Sequence, residues 1–121
     1  MATYVNNLRL KEIATGDESG TWGTSTNTNL ELIGQGLGYG TKQMSADSNE
    51  TFTMADGSSD STRAFYLKIT SAVSLTTTRT VTLAPNTVSK MWIVENATSG
   101  AQSINIKQGS GNEVTIATGK A

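Results

Sequence analysis

Short stretches in which apolar and polar residues alternate dominate the chain from residue 50 onward. In "AFYLKIT", Phe65, Leu67 and Ile69 fall on one face of an extended strand, because successive side chains of a strand point to opposite faces. The same period of two occurs in "ETFTMAD", "TVTLAP", "SINIKQ" and "EVTIAT". The run "KMWIVEN" is apolar on both faces, which predicts the most buried strand.

Six strands are therefore predicted, and the connections between them set the expected fold. "NATSGAQ" and "QGSGN" contain glycine and have the length of hairpin loops. We therefore predict a mainly β protein, with a small antiparallel β-sandwich or partly closed barrel over residues 43–121. The residues predicted to face its core are Phe52, Met54, Phe65, Leu67, Ile69, Val81, Leu83, Ile104, Ile106, Val114 and Ile116.

Composition supports the β assignment and removes several function classes. The 20 Thr and 13 Ser make up over a quarter of the 121 residues, and Thr suits the solvent face of a strand. The chain has no Cys and no His, which excludes disulfides, a thiol nucleophile, the usual catalytic triads and most transition-metal sites. Nine basic and ten acidic residues form no basic stripe, so we expect no nucleic-acid partner. The longest wholly apolar run is Met91–Val94, so we expect no membrane span.

Residues 1–42 depart from the strand pattern and are predicted to form a separate N-terminal region, an extended arm with one short helix. Thr28 and Glu31 have the spacing of a capping box, and Ser25 and Thr26 are rival N-caps. The apolar stripe and the glycines expected to end the helix within about three turns are Leu30, Ile33, Leu37, Gly34, Gly36 and Gly38.

Two interpretations of this helix stay open. Because so short a helix is marginal alone, its stripe must pack against something, and Trp22 between Gly20 and Gly23 is placed to cover that contact. In the first interpretation the helix is a lid on the chain's own sheet. In the second it is an attachment element whose stripe is buried in another subunit. The candidate docking residues are Trp22, Leu30, Ile33 and Leu37.

The segment around Trp22 also carries a family resemblance. "DESGTWG" at residues 17–23, followed by "NTNL" and a short helix, resembles the N-terminal signature of tail-fibre or virion-appendage proteins of tailed bacteriophages, especially marine ones. The later segment "VTLAPNTVSKMWIVENATSGAQSINIKQGSGNEVTIATGKA" resembles the β-rich segment of the same group, so the likeness covers nearly the whole chain.

The resemblance implies a homotrimeric structural part of a virion, without catalysis or cofactor, docked on a tail, neck or capsid protein. In that group the Gly-Lys near residue 119 is typically followed by more sequence, which suggests the anchoring portion of a longer fibre. The alternatives are a carbohydrate-binding module that recognises a host receptor and a capsid decoration or cement protein.

Other candidate sites are weaker. "DGSSDS" offers the carboxylates of Asp56 and Asp60 to Ca²⁺, but it lacks the spacing of a dedicated calcium loop, and a polar turn is the simpler interpretation. Asp17 and Glu18 are adjacent and would point to opposite faces of a strand, so we expect a solvated loop and no catalytic pair. Tyr39, Trp22 and Trp92 are candidates for stacking on sugars, although Trp92 lies in an apolar run typical of a core or an interface.

Overall fold

The computed structural model describes residues 1–121 and contains one α-helix and seven strands. The elements in chain order are α1 (Trp22–Leu37), β1 (Tyr39–Met44), β2 (Glu50–Thr53), a 3₁₀ turn (Ser61–Arg63), β3 (Tyr66–Ser71), β4 (Arg79–Ala84), β5 (Ile93–Asn96), β6 (Ile104–Gln108) and β7 (Val114–Ile116). A mainly β protein with one helix is thus confirmed.

The strands form two sheets, and the chain alternates between them. The first sheet has the order β1-β3-β5 and the second the order β2-β4-β6-β7. All neighbours pair in parallel except β6 and β7, which are antiparallel. The chain therefore winds as a coil of three turns, and each turn contributes one strand to each sheet.

The coil has a regular step in one sheet and an irregular step in the other. In the first sheet Tyr39 aligns with Tyr66 and Tyr66 with Ile93, so each turn advances by 27 residues. In the second sheet Val81 aligns with Glu50 and with Ile106, steps of 31 and then 25 residues. Because the corner lengths differ from turn to turn, the repeat is not evident in the amino-acid sequence.

The hydrophobic core lies between the inner faces of the two sheets, as side-chain alternation requires. Its members are Met44, Phe52, Leu67, Ile69, Leu75, Val81, Leu83, Val94 and Ile104, and all are buried. The corners stack as well. Gly100 has a φ of +103°, and a Cβ there would lie 2.2 Å from the Leu75 carbonyl oxygen, so only glycine fits this corner.

Several fold predictions need correction. The antiparallel arrangement is wrong for every strand pair except β6–β7, and no barrel closes. "QGSGN" is a hairpin loop as predicted, whereas "NATSGAQ" carries the chain from one sheet to the other. The predicted boundary after residue 42 falls inside β1, a strand that the sequence pattern did not reveal, so the β-sheet body begins at Tyr39.

The predicted inward residues are confirmed in the first two turns and partly wrong in the third. Phe52, Met54, Leu67, Ile69, Val81, Leu83 and Ile104 are buried, while Phe65, Ile106 and Ile116 are half-buried. Val114 is 65% exposed, and in "KMWIVEN" Met91 is 67% exposed, so this is not the most buried strand. The reason is that β5 is an edge strand of its sheet and Ile93 faces outward in the same row as Tyr66.

The helix is longer than predicted and starts earlier. It begins at Trp22, where the Trp22 N–H donates to the Glu18 carbonyl, so Ser25, Thr26 and Thr28 lie inside the helix and none of them is the N-cap. Its N-cap Thr21 makes no side-chain capping bond. Gly34 and Gly36 continue the helix, which ends at Leu37 with Gly38 as the C-cap.

Candidate functional site

The four predicted docking residues share one face of α1. At about 100° of rotation per residue, Trp22, Leu30, Ile33 and Leu37 fall within a sector of about 80°. Their exposed fractions are 64% for Trp22, 60% for Leu30, 36% for Ile33 and 76% for Leu37. The lid interpretation is therefore wrong for these side chains, because they do not pack on the chain's own sheet.

The neighbouring face of α1 carries mainly small and polar residues, and it is this face that is packed. It contains Ser25, Asn29, Leu32 and Gly36, and both Leu32 and Gly36 are buried. The Asn29 side chain accepts from the Lys11 N–H at 3.0 Å and donates to the Lys11 carbonyl at 2.9 Å. A Cβ at Gly36 would lie 2.9 Å from the Leu8 side chain, so glycine permits a close approach of the N-terminal segment.

Residues 1–12, predicted to be an extended arm, fold back on themselves. Thr3 and Glu12 form an antiparallel bridge, and the Arg9 carbonyl accepts from the Gly57 N–H at 2.8 Å. The Asn7 side chain accepts from the Ser89 N–H at 2.9 Å. This N-terminal segment thus contacts α1, the loop around residue 57 and the loop before β5.

The buried side chain of Arg63 joins these parts. Its guanidinium donates to the carbonyls of Leu8 (2.6 Å), Ser58 (2.7 Å) and Ala55, and to the side-chain oxygen of Gln35 on α1 (2.8 Å). Burial lowers the pKa of Arg63, and the nearby charges of Asp60 and Asp56 oppose that effect. The arginine fixes the orientation of α1 on the coil, and sequence reasoning missed it because a lone Arg in a polar stretch gives no burial signal.

The acidic residues proposed for calcium have other partners. Asp60 accepts from the Thr62 N–H (2.9 Å) and the Ala55 N–H (3.0 Å) and pairs with Lys42 at 3.4 Å. Burial acts to raise the pKa of Asp60, but these contacts outweigh it and lower the pKa overall. Asp56 instead faces Arg9 at 3.9 Å, so the two carboxylates do not converge. No group of three or more acidic residues that could hold a metal ion is present.

Asp17 and Glu18 likewise serve separate contacts. Glu18 pairs with Lys11 and accepts from the Thr21 hydroxyl at the start of α1. Asp17 contacts the Met1 amino group at 2.6 Å. Glu18 therefore helps to fix the entry into α1, while Asp17 has a separate partner.

The aromatic candidates lie apart from one another. Tyr39 and Tyr66 stack on the outer face of the first sheet, with ring centroids 5.3 Å apart, and the Tyr66 hydroxyl donates to Glu95 at 2.7 Å. Trp92 donates its indole N–H to the Thr62 carbonyl at 2.8 Å and packs against the core. Trp22 is separate from both, on α1.

A cavity of about 610 Å³ that sequence reasoning also missed lies beneath the third turn. It occupies the gap between β5 and the β6–β7 pair. Leu83 of β4, in the second turn, also contributes to its lining. Its apolar lining includes Trp92, Ile106 and Ile116. We call this feature the third-turn cleft.

Comparison with known proteins adds no assignment. No protein-family model matches the chain, and no match was found among the curated proteins or the solved structures. The one α-helix falls short of the length and apolar character needed to cross a membrane.

Proposed function

We propose that the chain is a non-enzymatic structural protein of a tailed-phage virion, a tail-fibre or appendage part that docks on another virion component through α1. One observation carries the proposal. The apolar face of α1, formed by Trp22, Leu30, Ile33 and Leu37, is exposed to solvent, while the polar and small face is fixed by Asn29 and Gln35. A helix that exposes its apolar face to solvent has the pattern of a docking element.

The apolar face can contribute substantially to a contact. Each large apolar side chain contributes about 1.5–3 kcal/mol when fully buried. Four such side chains would therefore contribute at most about 6–12 kcal/mol, which is of the same order as the cost of association, so binding requires that the helix is already ordered. The contacts of Arg63 and Asn29 supply that order before any partner binds.

The test is a pair of matched helix variants. Leu30→Gln with Ile33→Gln changes the exposed stripe, and Glu31→Gln, on the opposite exposed side, is the control. We expect both proteins to melt within a few degrees of the unchanged protein, and only the stripe variant to lose incorporation into particles. Complementation of a phage that lacks the protein, followed by blotting of purified particles, measures incorporation.

Two outcomes would contradict the proposal. One is normal incorporation of the stripe variant. The other is a large loss of melting temperature in that variant, which would mean that the stripe supports the fold. Leu32→Gln on the buried face provides the reference for such a loss, because Leu32 is only 4% exposed.

The proposal includes a homotrimer without catalysis, located in the virion. Tyr39, Ile93 and Met91 leave apolar surface on the outer side of the first sheet, and contact between subunits would cover it. Sedimentation equilibrium at micromolar concentration should give three times the chain mass. A stable monomer would contradict the trimer. The absence of catalysis would be contradicted if the protein hydrolysed a polysaccharide and Asp56→Asn or Asp60→Asn abolished that activity.

A second candidate, binding of a host glycan, is favoured by the stacked tyrosines. Tyr39 is exposed, and the Glu95 carboxylate lies beside the second ring of the stack. Sugars bind to exposed aromatic faces flanked by polar groups. If this candidate is correct, Tyr39→Ala should abolish retention on immobilised host polysaccharide while leaving particle incorporation intact.

A further inference from the structure

The third-turn cleft has the size and lining of a ligand site. Its volume of about 610 Å³ lies within the range of about 300–1,000 Å³ that is usual for small-molecule pockets. Nine of its fifteen lining residues are apolar, and they come from both sheets, with Val94 on one side and Ile106 on the other. The cleft therefore continues the hydrophobic core into a space that solvent can enter.

The charges around the cleft are of one sign. Lys90, Lys107 and Lys120 line it, and no Asp or Glu side chain does. None of these lysines forms an ion pair with a carboxylate in the structure. A chain with a net charge of −1 thus places three of its nine basic residues around one apolar cavity.

Lys90 is the most constrained of the three. Its ammonium lies 4.3 Å from the centroid of the Trp92 ring and donates to the carbonyls of Met91 (3.1 Å) and Ala64 (3.3 Å). These contacts position the charge at the wall of the cleft without neutralising it. Partial burial lowers the pKa of Lys90 to about 8, as expected for an ammonium that lacks an acidic partner.

We propose that the third-turn cleft binds a small amphipathic carboxylate, whose apolar part fills the gap between the sheets while its carboxylate pairs with Lys90. A neutral apolar ligand would leave the lysines unpaired, and a cationic one would be repelled. A symmetric contact between the clefts of two copies is unsuitable, because it would bring six lysines together. The site is separate from the stripe on α1 and does not depend on its role.

The probes are three compounds with the same ten-carbon chain, decanoate, decanol and decylamine, titrated at pH 7 below their aggregation concentrations. A Trp22→Phe background leaves Trp92 as the only tryptophan, so its fluorescence reports on the cleft. We expect decanoate to bind saturably and at least tenfold more tightly than decanol, with no binding of decylamine. Equal affinities for the three compounds, or no saturable binding of decanoate, would overturn the proposal.

A variant then assigns the charge. Lys90→Met keeps an apolar stem and removes the ammonium, so the affinity for decanoate should fall about tenfold while that for decanol is unchanged. The matched control is Lys68→Met, on the outer face of the first sheet and away from the cleft. An equal loss in both variants would contradict the assignment. Because the ligand series uses the unchanged side chains of the cleft, it remains decisive even if Lys90→Met folds poorly.

Discussion

The hydrophobic core is covered at one end of the coil and open at the other. At the first turn, the segment after β2 and the 3₁₀ turn cover the core, and Met44, Met54 and Ala64 are almost fully buried. At the third turn the core opens into a cleft, and Val114 and Met91 are largely exposed.

The difference lies in what covers each end. In a stacked fold each turn contacts only its neighbours, so a terminal turn needs a polar cap if its apolar face is not to meet water. Here the first turn has such a cap, built from the N-terminal segment, α1 and the loop at residues 54–64, and organised by Arg63. At the third turn, β7 pairs with β6, the Asn96 side chain donates to the Ile116 carbonyl, and the Asn96 backbone exchanges hydrogen bonds with Gly119 and Lys120. The comparison shows a polar cap over one end of the core and an open apolar cleft at the other.

The largest expected effect is at the capped end. Arg63→Met keeps the buried stem but leaves three partly buried carbonyls and the Gln35 side chain without their donor. A buried group left unpaired costs about 1–3 kcal/mol and a partly buried one costs less, so for the four groups together we expect about 3 kcal/mol less free energy of unfolding in urea. Arg79→Met, which removes a partly exposed contact with Asp47, should cost much less. Equal losses in the two variants would remove the distinction between the cap and an ordinary surface contact.

A smaller effect is expected at the open end from Asn96→Ala. The buried Asn96 side chain donates to the carbonyls of Gln102 (2.9 Å) and Ile116 (3.0 Å) and accepts from Thr98. Its loss should destabilise the protein by about 1–2 kcal/mol, because the two carbonyls that lose their donor belong to half-exposed residues that water can partly reach. Hydrogen exchange should then accelerate in β7 while the amides of α1 stay protected. Uniform acceleration would mean that the two ends do not unfold separately.

The smallest effect is the pH dependence that Lys90 confers on stability. Because burial lowers the pKa of Lys90 to about 8 from its ordinary 10.5, the unfolded chain binds more protons than the folded protein between these values. The contribution of Lys90 to the free energy of unfolding therefore rises with pH across this window. After allowance for solvent screening we expect a rise of less than about 1 kcal/mol, absent in Lys90→Met. Parallel pH profiles of the two proteins by thermal unfolding would contradict this.

The sequence predicted the local features of the fold well. Alternation identified Leu67, Ile69, Val81 and Leu83 as inward residues, because the two-residue period of a strand is set by the backbone alone. Pairing is not a local property. "NATSGAQ" has the length of a hairpin loop, and nothing in its residues indicates that it turns a corner between two sheets.

The candidate site shows the same division. The stripe on α1 was found from spacing, yet spacing could not say which face of the helix would be packed. The packed face depends on Asn29 and Gly36 meeting the N-terminal segment, which is a tertiary contact between residues far apart in the chain. The third-turn cleft was missed for a related reason, since its lysines converge only when the last turn is wound.

The winding of the chain also gives the molecule an adjustable length. Strands of adjacent turns lie about 4.8 Å apart, so one duplicated turn would move the cleft away from α1 by about that distance. The unequal steps in the second sheet, 31 and 25 residues, show that corners of different length fit the same cross-section. Whole-turn duplication is thus a route by which a coil of this design could be lengthened in evolution or by engineering, with both ends kept as they are.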